Sequence, residues 1–323
     1  MRKLLLSTTA LIAAGAISSA AVADGPSVTG SYKFSYQDYD SGITTTGESG
    51  DRMWSESAIN FKFSEKTESG LNMTYGLAIV SESDDNAGDS LYASNHHLTL
   101  TDDWGTLQLG AAGGVGDKMT RTAHDILGTP DGLTGDLNAF HNTAGTGNLA
   151  DDNADLGKDI DDQSNITYIL PPMGGLTAGV TIRDAGENTN QNDDETEIGA
   201  KYAFTSGNLN GTLHYGANSQ DGTTAGATGL DSSSMGIDVS MGSIRAVYAQ
   251  SQTDVTATIE TEITDFGVKY DLGNGMTIAA IQTAVEENTG GETLDVTTVG
   301  ASYTIASGLT ASLTYHDYDY DNG

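Results

Sequence analysis

The sequence lacks cysteine, has few basic residues and contains no long apolar run beyond its N-terminus. The absence of cysteine excludes disulfide bridges and a lipid-modified cysteine behind an N-terminal leader. The missing apolar runs exclude membrane-spanning helices downstream of the N-terminus. Lys and Arg number 13 against 45 Asp and Glu, so the formal net charge is −32. This charge excludes nucleic acid as a partner, and it suits either solubility in a salty medium or a field that concentrates cations.

The N-terminus carries the one apolar segment. Two basic residues precede a stretch from Leu4 to about Ile17, and a small-x-small sequence ends at Ala23. This pattern predicts a secretory signal peptide over residues 1–23, cleaved between Ala23 and Asp24. A membrane anchor is disfavoured, because the stretch is shorter than the roughly 20 apolar residues that span a bilayer.

Short alternating segments and turns fill the rest of the chain. Glycine-containing turns such as ESGL (68–71) and DLGNG (271–275) alternate with longer polar loops, and 41 glycines but only four prolines suit one large all-β domain. Apolar residues occupy every second position in segments such as 71–81, 195–204 and 208–219. This period of two predicts strands of about ten residues. Tight turns at one end and long loops at the other are typical of an outer-membrane β-barrel.

Alternation alone does not separate such a barrel from a secreted two-sheet sandwich, whose apolar faces point to a core. The leader, the turn–loop asymmetry and the aromatic residues near predicted strand ends favour the barrel. These aromatic residues are Tyr32, Trp54, Tyr92, Trp104, Tyr168, Tyr202, Phe204, Tyr270, Tyr303 and Tyr315.

The pattern predicts an all-β, antiparallel transmembrane barrel with about fifteen strands in this sequence. Bacterial single-chain barrels have an even strand number. We therefore expect sixteen strands, with the last one, of about ten residues, truncated from the C-terminal end. A natural odd-numbered barrel is the alternative.

Residues 113–162 depart from the alternation and are rich in Gly, Asp and Asn. A structureless connection of this length is uncommon unless it is functional. We expect it either to stand in solvent or to fold into the lumen of the barrel.

Several segments resemble one known family. They are the leader MRKLLLSTTALIAAGA, the hairpin HHLTLTDDWGTLQLGAAGG (96–114) and the late hairpins FGVKYDLGNGMTIAA (266–280) and VGASYTIASGLTASLTYHDYD (299–319). Their order and spacing resemble the alphaproteobacterial general porins, the Rhodobacter type, over essentially the whole chain. The resemblance implies a sixteen-stranded homotrimeric barrel over 24–323, set in outer-membrane lipid and lipopolysaccharide. It also implies that 113–162 is a third loop folded into the pore, and that small hydrophilic solutes and ions pass.

In the family that the chain resembles, acidic residues on the third loop face basic residues on the wall. The acidic candidates here are Asp117, Asp125, Asp131, Asp136, Asp151, Asp152 and Asp155. The basic candidates, which lie in the inward phase of their strands, are Lys33, Arg52, Lys62, Arg183, Lys201, Arg245 and Lys269. Because basic residues are few, we expect a preference for cations.

Other chemistry has weaker support. The six histidines are scattered and no G-x-S-x-G sequence occurs, so we expect no enzyme. No cofactor is expected, although Asp159, Asp161 and Asp162 offer oxygen ligands for Ca²⁺. A substrate-selective channel and a non-conducting adhesin or structural barrel remain as alternatives.

Overall fold

The computed structural model describes residues 7–13, 26–40, 49–84, 88–127, 154, 156, 160, 164–183, 194–220, 230–256, 259–288 and 291–321. The strands are β1 (Ser7–Ala13), β2 (Ser27–Asp40), β3 (Ser49–Lys66), β4 (Asn72–Asp84), β5 (Gly88–Asp102), β6 (Gly105–Ala111), β7 (Ser164–Ile169), β8 (Leu176–Arg183), β9 (Glu195–Ser206), β10 (Leu209–Gln220), β11 (Leu230–Met241), β12 (Ile244–Thr256), β13 (Ile259–Gly273), β14 (Met276–Glu287), β15 (Thr293–Ala306) and β16 (Leu309–Asp321). A short helix α1 (Val115–Met119) and a 3-10 helix η1 (Ala123–Ile126) follow β6. No described helix is both long and apolar enough to cross a bilayer.

Consecutive strands pair antiparallel, and the sheet closes into a barrel of sixteen strands. The fifteen strands between residues 27 and 321 confirm the predicted strand order. We expected the sixteenth strand to be missing from the C-terminal end. In the structure, β1 takes the place between β16 and β2 instead. Ser7–Ala13, assigned above to the leader, pairs with β2 on one side and with β16 on the other. The physical reason is that an edge strand presents unpaired N–H and C=O groups, which a further strand satisfies.

The tight turns occur where the glycine pattern predicts them. Gly207 joins β9 to β10 and Gly242 joins β11 to β12, each with a φ of 61°. This left-handed conformation places glycine at the turn because a side chain would be strained there. The hairpins therefore keep their register from the turn outward, as in the pairing of Leu209 with Ser206 and of Gln220 with Glu195.

The sheet has two chemically different faces. Large apolar side chains are exposed on the outer face, where Leu213 is 47% and Met235 54% exposed. The alternating positions point to the inner face, where Thr181 and Thr283 are fully buried. An apolar outer band and a polar interior are the arrangement of a barrel in lipid.

Two apolar clusters interrupt the polar inner face. Val247 and Ile281 pack with residues of η1 in one cluster. Val285 and Leu294 pack with Ala154 in the other. The inner wall on β12–β15 is therefore shaped to receive parts of the connection between β6 and β7.

Candidate functional site

Residues 112–127, which we call the wall-packed segment, lie against the inner face of the barrel. Helix α1 packs on β8, β9 and β10, and η1 packs on β12, β13 and β14. The contacts are with buried inner-face side chains, opposite the exposed apolar band. The segment therefore links two groups of wall strands, β8–β10 and β12–β14, that do not pair with each other.

The beginning of α1 is held by two polar side chains. The Val115 backbone N–H donates to Thr181 Oγ1 at 3.0 Å, and the Gly116 N–H donates to Glu197 Oε1 at 2.6 Å. Glu197 is fully buried on β9. A Cβ on Gly116 would collide with the Glu197 carboxylate and with Leu156, so only glycine lets the helix approach this closely.

The η1 end is held by a second buried carboxylate. Asp265 on β13 accepts the Ala123 N–H on Oδ1 and the Ala154 N–H on Oδ2, both at 3.0 Å. His124 Nε2 lies 3.1 Å from Thr283 Oγ1 on β14. Asp265 thus ties two distant parts of the β6–β7 connection to one strand.

The structure describes two of the seven predicted acidic loop residues. Asp117 and Asp125 are exposed on the wall-packed segment. Asp125 Oδ2 accepts the Thr122 N–H at 2.9 Å and so caps η1. The other candidates lie outside the described residues: Asp131, Asp136, Asp151, Asp152 and Asp155, together with the calcium candidates Asp159, Asp161 and Asp162. Within the described ranges, no group of three or more His, Asp or Glu residues is arranged to hold a metal ion.

The predicted basic wall residues fall in different sectors of the barrel. Lys33 on β2 pairs with Glu56 on β3 at 3.0 Å. Lys62 is exposed on β3, and the side chain of Arg52 lies outside what the structure describes. Arg183 on β8 pairs with a buried Glu195, and these residues are not part of a common cluster with Lys33.

Three other basic candidates lie on the β9–β13 sector, which the wall-packed segment also contacts. Arg245 makes a two-pronged contact with Asp238, in which Nη2 is 2.7 Å from Oδ2. Lys269 stands directly opposite Arg245 across the β12–β13 pair. Lys201 Nζ donates to the Lys118 carbonyl at 3.1 Å.

Sequence reasoning missed the residues that hold the segment and the basic groups that the segment itself carries. Glu197 and Asp265 are recognisable in retrospect as acidic residues in the inward phase of strands. Lys118 and Arg121 occur within the loop, where only acidic residues were considered. The positive charge of Arg121 acts repulsively on Lys201 and on His214, a histidine taken above as one of a scattered set.

Comparisons with known proteins agree with this architecture. The sequence model of the family described as Gram-negative porin matches residues 7–323. No curated protein sequence matches the chain. An engineered protein described for its asymmetric conductivity shares 14% identity at a TM-score of 0.61. A triple mutant of Rhodopseudomonas blastica porin shares 13% identity at a TM-score of 0.61. Both alignments cover 91% of this chain and 100% of the other, and at such identity they show the fold alone.

Proposed function

The chain belongs to the Gram-negative porin family, and from that premise we propose that it is a general diffusion channel for small hydrophilic solutes and ions. The barrel lies in the outer membrane, with its apolar face toward lipid. Passage through such a channel needs no cofactor and no covalent chemistry, because size and charge at the narrowest point decide which solutes enter.

The placement of the wall-packed segment is the observation that carries this proposal. Glu197 and Asp265 accept its backbone N–H groups from inside the barrel wall. Residues 113–162 then form a third loop that folds into the pore and limits the size of solutes.

Charge pairing supports a preference for cations. Asp117 and Asp125 are exposed on the segment. Several of the basic wall residues carry carboxylate partners, which reduces the positive potential that they present to a solute. These pairs are Lys33 with Glu56, Arg183 with Glu195 and Arg245 with Asp238. Together with a formal net charge of −32, the pairing favours cations over anions of equal size.

The same proposal includes the maturation and assembly of the protein. Residues 1–23 are a signal peptide that is removed at Ala23–Asp24 before the barrel reaches the membrane. This removal also takes away Ser7–Ala13, so the mature barrel needs another strand between β16 and β2 to satisfy their open edges. The mature barrel is a homotrimer surrounded by outer-membrane lipid and lipopolysaccharide. The apolar outer band supports a membrane location for every strand that carries it.

Single-channel recording in planar bilayers under a KCl gradient tests the proposal, with full-length protein purified from outer membranes. We expect large stepwise conductance, in groups of three, and a reversal potential that favours K⁺. A preference for Cl⁻ would show that the basic wall residues set the filter. Folded protein without conductance would refute the channel and support the adhesin or structural barrel, whereas saturation by one solute would identify a substrate-selective channel.

A further inference from the structure

Three basic residues lie where the wall-packed segment crosses β9 and β10. They are Arg121 of the segment, Lys201 of β9 and His214 of β10, and we call them the basic site. Lys201 and His214 stand directly opposite each other across the β9–β10 pair. The positive charge of Arg121 is near enough to both to repel a positive charge on either of them. The residues before Arg121 contact the same two strands, because Lys201 Nζ donates to the Lys118 carbonyl and a Cβ on Gly216 of β10 would meet Thr120 Cγ2 at 2.7 Å.

The state of His214 is unusual for a buried polar side chain. It is 5% exposed, and neither ring nitrogen has a hydrogen-bond partner among the described residues. The ring lies over Gly236, where a Cβ would touch Cε1 and Nε2 at 2.7 Å. Buried donors without partners are costly, so they generally bind something.

Arg121 and Lys201 are also available to a ligand. Arg121 Nη1 donates to the adjacent Thr120 carbonyl at 2.8 Å, and Lys201 Nζ donates to the Lys118 carbonyl. Neither residue takes part in an ion pair within the described part of the chain. This distinguishes them from the basic wall residues that hold carboxylates.

The acidic residue that faces this site is already engaged. Asp238 on β11 interacts electrostatically with His214. Both of its carboxylate oxygens, however, accept hydrogen bonds from Arg245. Its negative charge is therefore offset largely by the guanidinium and competes weakly for the basic site.

We propose that Arg121, Lys201 and His214 bind a small oxyanion, of the class of inorganic phosphate, within the pore. A guanidinium presents a planar fork that matches two oxyanion oxygens, an ammonium adds a compact charge, and an imidazole N–H adds a third donor. The inference rests on the proposed channel, because a solute must enter the barrel to reach the site. It is compatible with a cation-preferring pore, since a local binding site does not set the selectivity of the whole passage.

Calorimetric titration of inorganic phosphate into the folded full-length protein in detergent tests the site. We expect saturable binding that weakens at least tenfold in Lys201→Gln and in His214→Gln. We expect the same weakening in Arg121→Gln, a variant on the loop that leaves the barrel wall unchanged. Lys33→Gln is the matched control, because Lys33 is a half-buried wall lysine that pairs with Glu56 away from the site. Heat-modifiable electrophoretic mobility checks that each variant is folded.

Bilayer recording separates failure of this inference from failure of the channel. At constant ionic strength, phosphate should reduce the conductance of the unsubstituted protein saturably, and the reduction should be lost in Lys201→Gln. A conducting protein that shows no saturable phosphate binding overturns the oxyanion site and leaves the channel intact. Equal weakening in Lys33→Gln overturns it too, because the effect would then reflect total charge. Binding by calorimetry without any conductance would retain the site and refute the channel.

Discussion

Asp265 is completely buried on β13, and both of its carboxylate oxygens accept backbone N–H groups of the β6–β7 connection. An ionised carboxylate only accepts hydrogen bonds, so it can serve two N–H donors at once. An amide of the same shape has one acceptor and one donor. The residue type is therefore determined by the backbone groups that it must satisfy.

The variant Asp265→Asn should loosen the loop, because its NH₂ group must face the N–H of Ala123 or of Ala154. One unsatisfied buried donor costs about 1–3 kcal/mol. We expect increased open-channel noise and altered single-channel conductance, measured in planar bilayers. Asp295→Asn is the control, because Asp295 is exposed on the outer face of β15. Equal noise in the two variants would contradict the anchoring role of Asp265.

Gly116→Ala should displace α1 from the wall, since the added Cβ would meet the Glu197 carboxylate and Leu156. Overpacking of this kind costs about 1–3 kcal/mol. Faster proteolysis of the loop in the intact barrel, with changed conductance, is the expected result. In the control Gly30→Ala, the nearest atom to the added Cβ is the Ala58 carbonyl oxygen at 3.5 Å. Proteolysis of both variants at the rate of the unsubstituted protein would contradict the close packing of α1 on the wall.

At the scale of the strands, sequence alternation predicted which face each side chain takes but not where every strand ends. The predicted segments 195–204 and 208–219 closely match Glu195–Ser206 and Leu209–Gln220. By contrast, β3 spans Ser49–Lys66, longer than the segment whose alternation is clear. Near the strand ends both faces of the strand are polar, so apolar and polar residues no longer alternate in the sequence. The alternation therefore marks the part of a strand in the apolar band and not the whole strand.

The two carboxylates that hold the wall-packed segment were not predicted, for a related reason. Alternation places Glu197 and Asp265 on the inner face, but it does not reveal which loop N–H groups they meet. Those partners lie 81 and 142 residues away along the chain. Contacts over such separations depend on the closed barrel, and a local pattern carries no information about them.

The two faces of one strand allow a direct comparison on β10. Leu213→Arg places a charge in the apolar band and should lower the free energy of unfolding by up to about 2–4 kcal/mol. Thr212→Arg points into a cavity of about 390 Å³ lined also by Arg245 and Asp238, so we expect a smaller loss but a changed conductance. Urea unfolding in lipid vesicles measures both. Equal destabilisation would show that the faces are misassigned.

At the scale of the whole molecule, acidic side chains on the outer surface lie close enough to repel one another. Glu262 stands directly opposite Glu286, and Asp295 stands directly opposite Asp319. All of these side chains are exposed. Like charges directly opposite each other in a sheet are destabilising. The fold therefore tolerates local repulsion that the surrounding salt must reduce.

Raising the salt concentration should stabilise the barrel, because mobile ions screen exposed charges within about 10 Å at 0.1 M. The double variant Glu286→Gln with Asp319→Asn should unfold at a higher temperature in low salt and respond less to added NaCl. Each removed pair should contribute about 0.2–1 kcal/mol. Thermal unfolding at several NaCl concentrations measures the effect. An unchanged salt response in the variant would show that repulsion lies elsewhere.

The attachment of the wall-packed segment has a mechanical consequence. In the sheet, backbone hydrogen bonds join neighbouring strands only, so a hollow cylinder of this kind could flatten by bending between them. Glu197 and Asp265 fasten one piece of chain to β9 and β13, and His124 extends the attachment to β14. That piece acts as a cross-brace. The roundness of the cylinder and the width of its opening are thereby coupled, and releasing the brace changes both together.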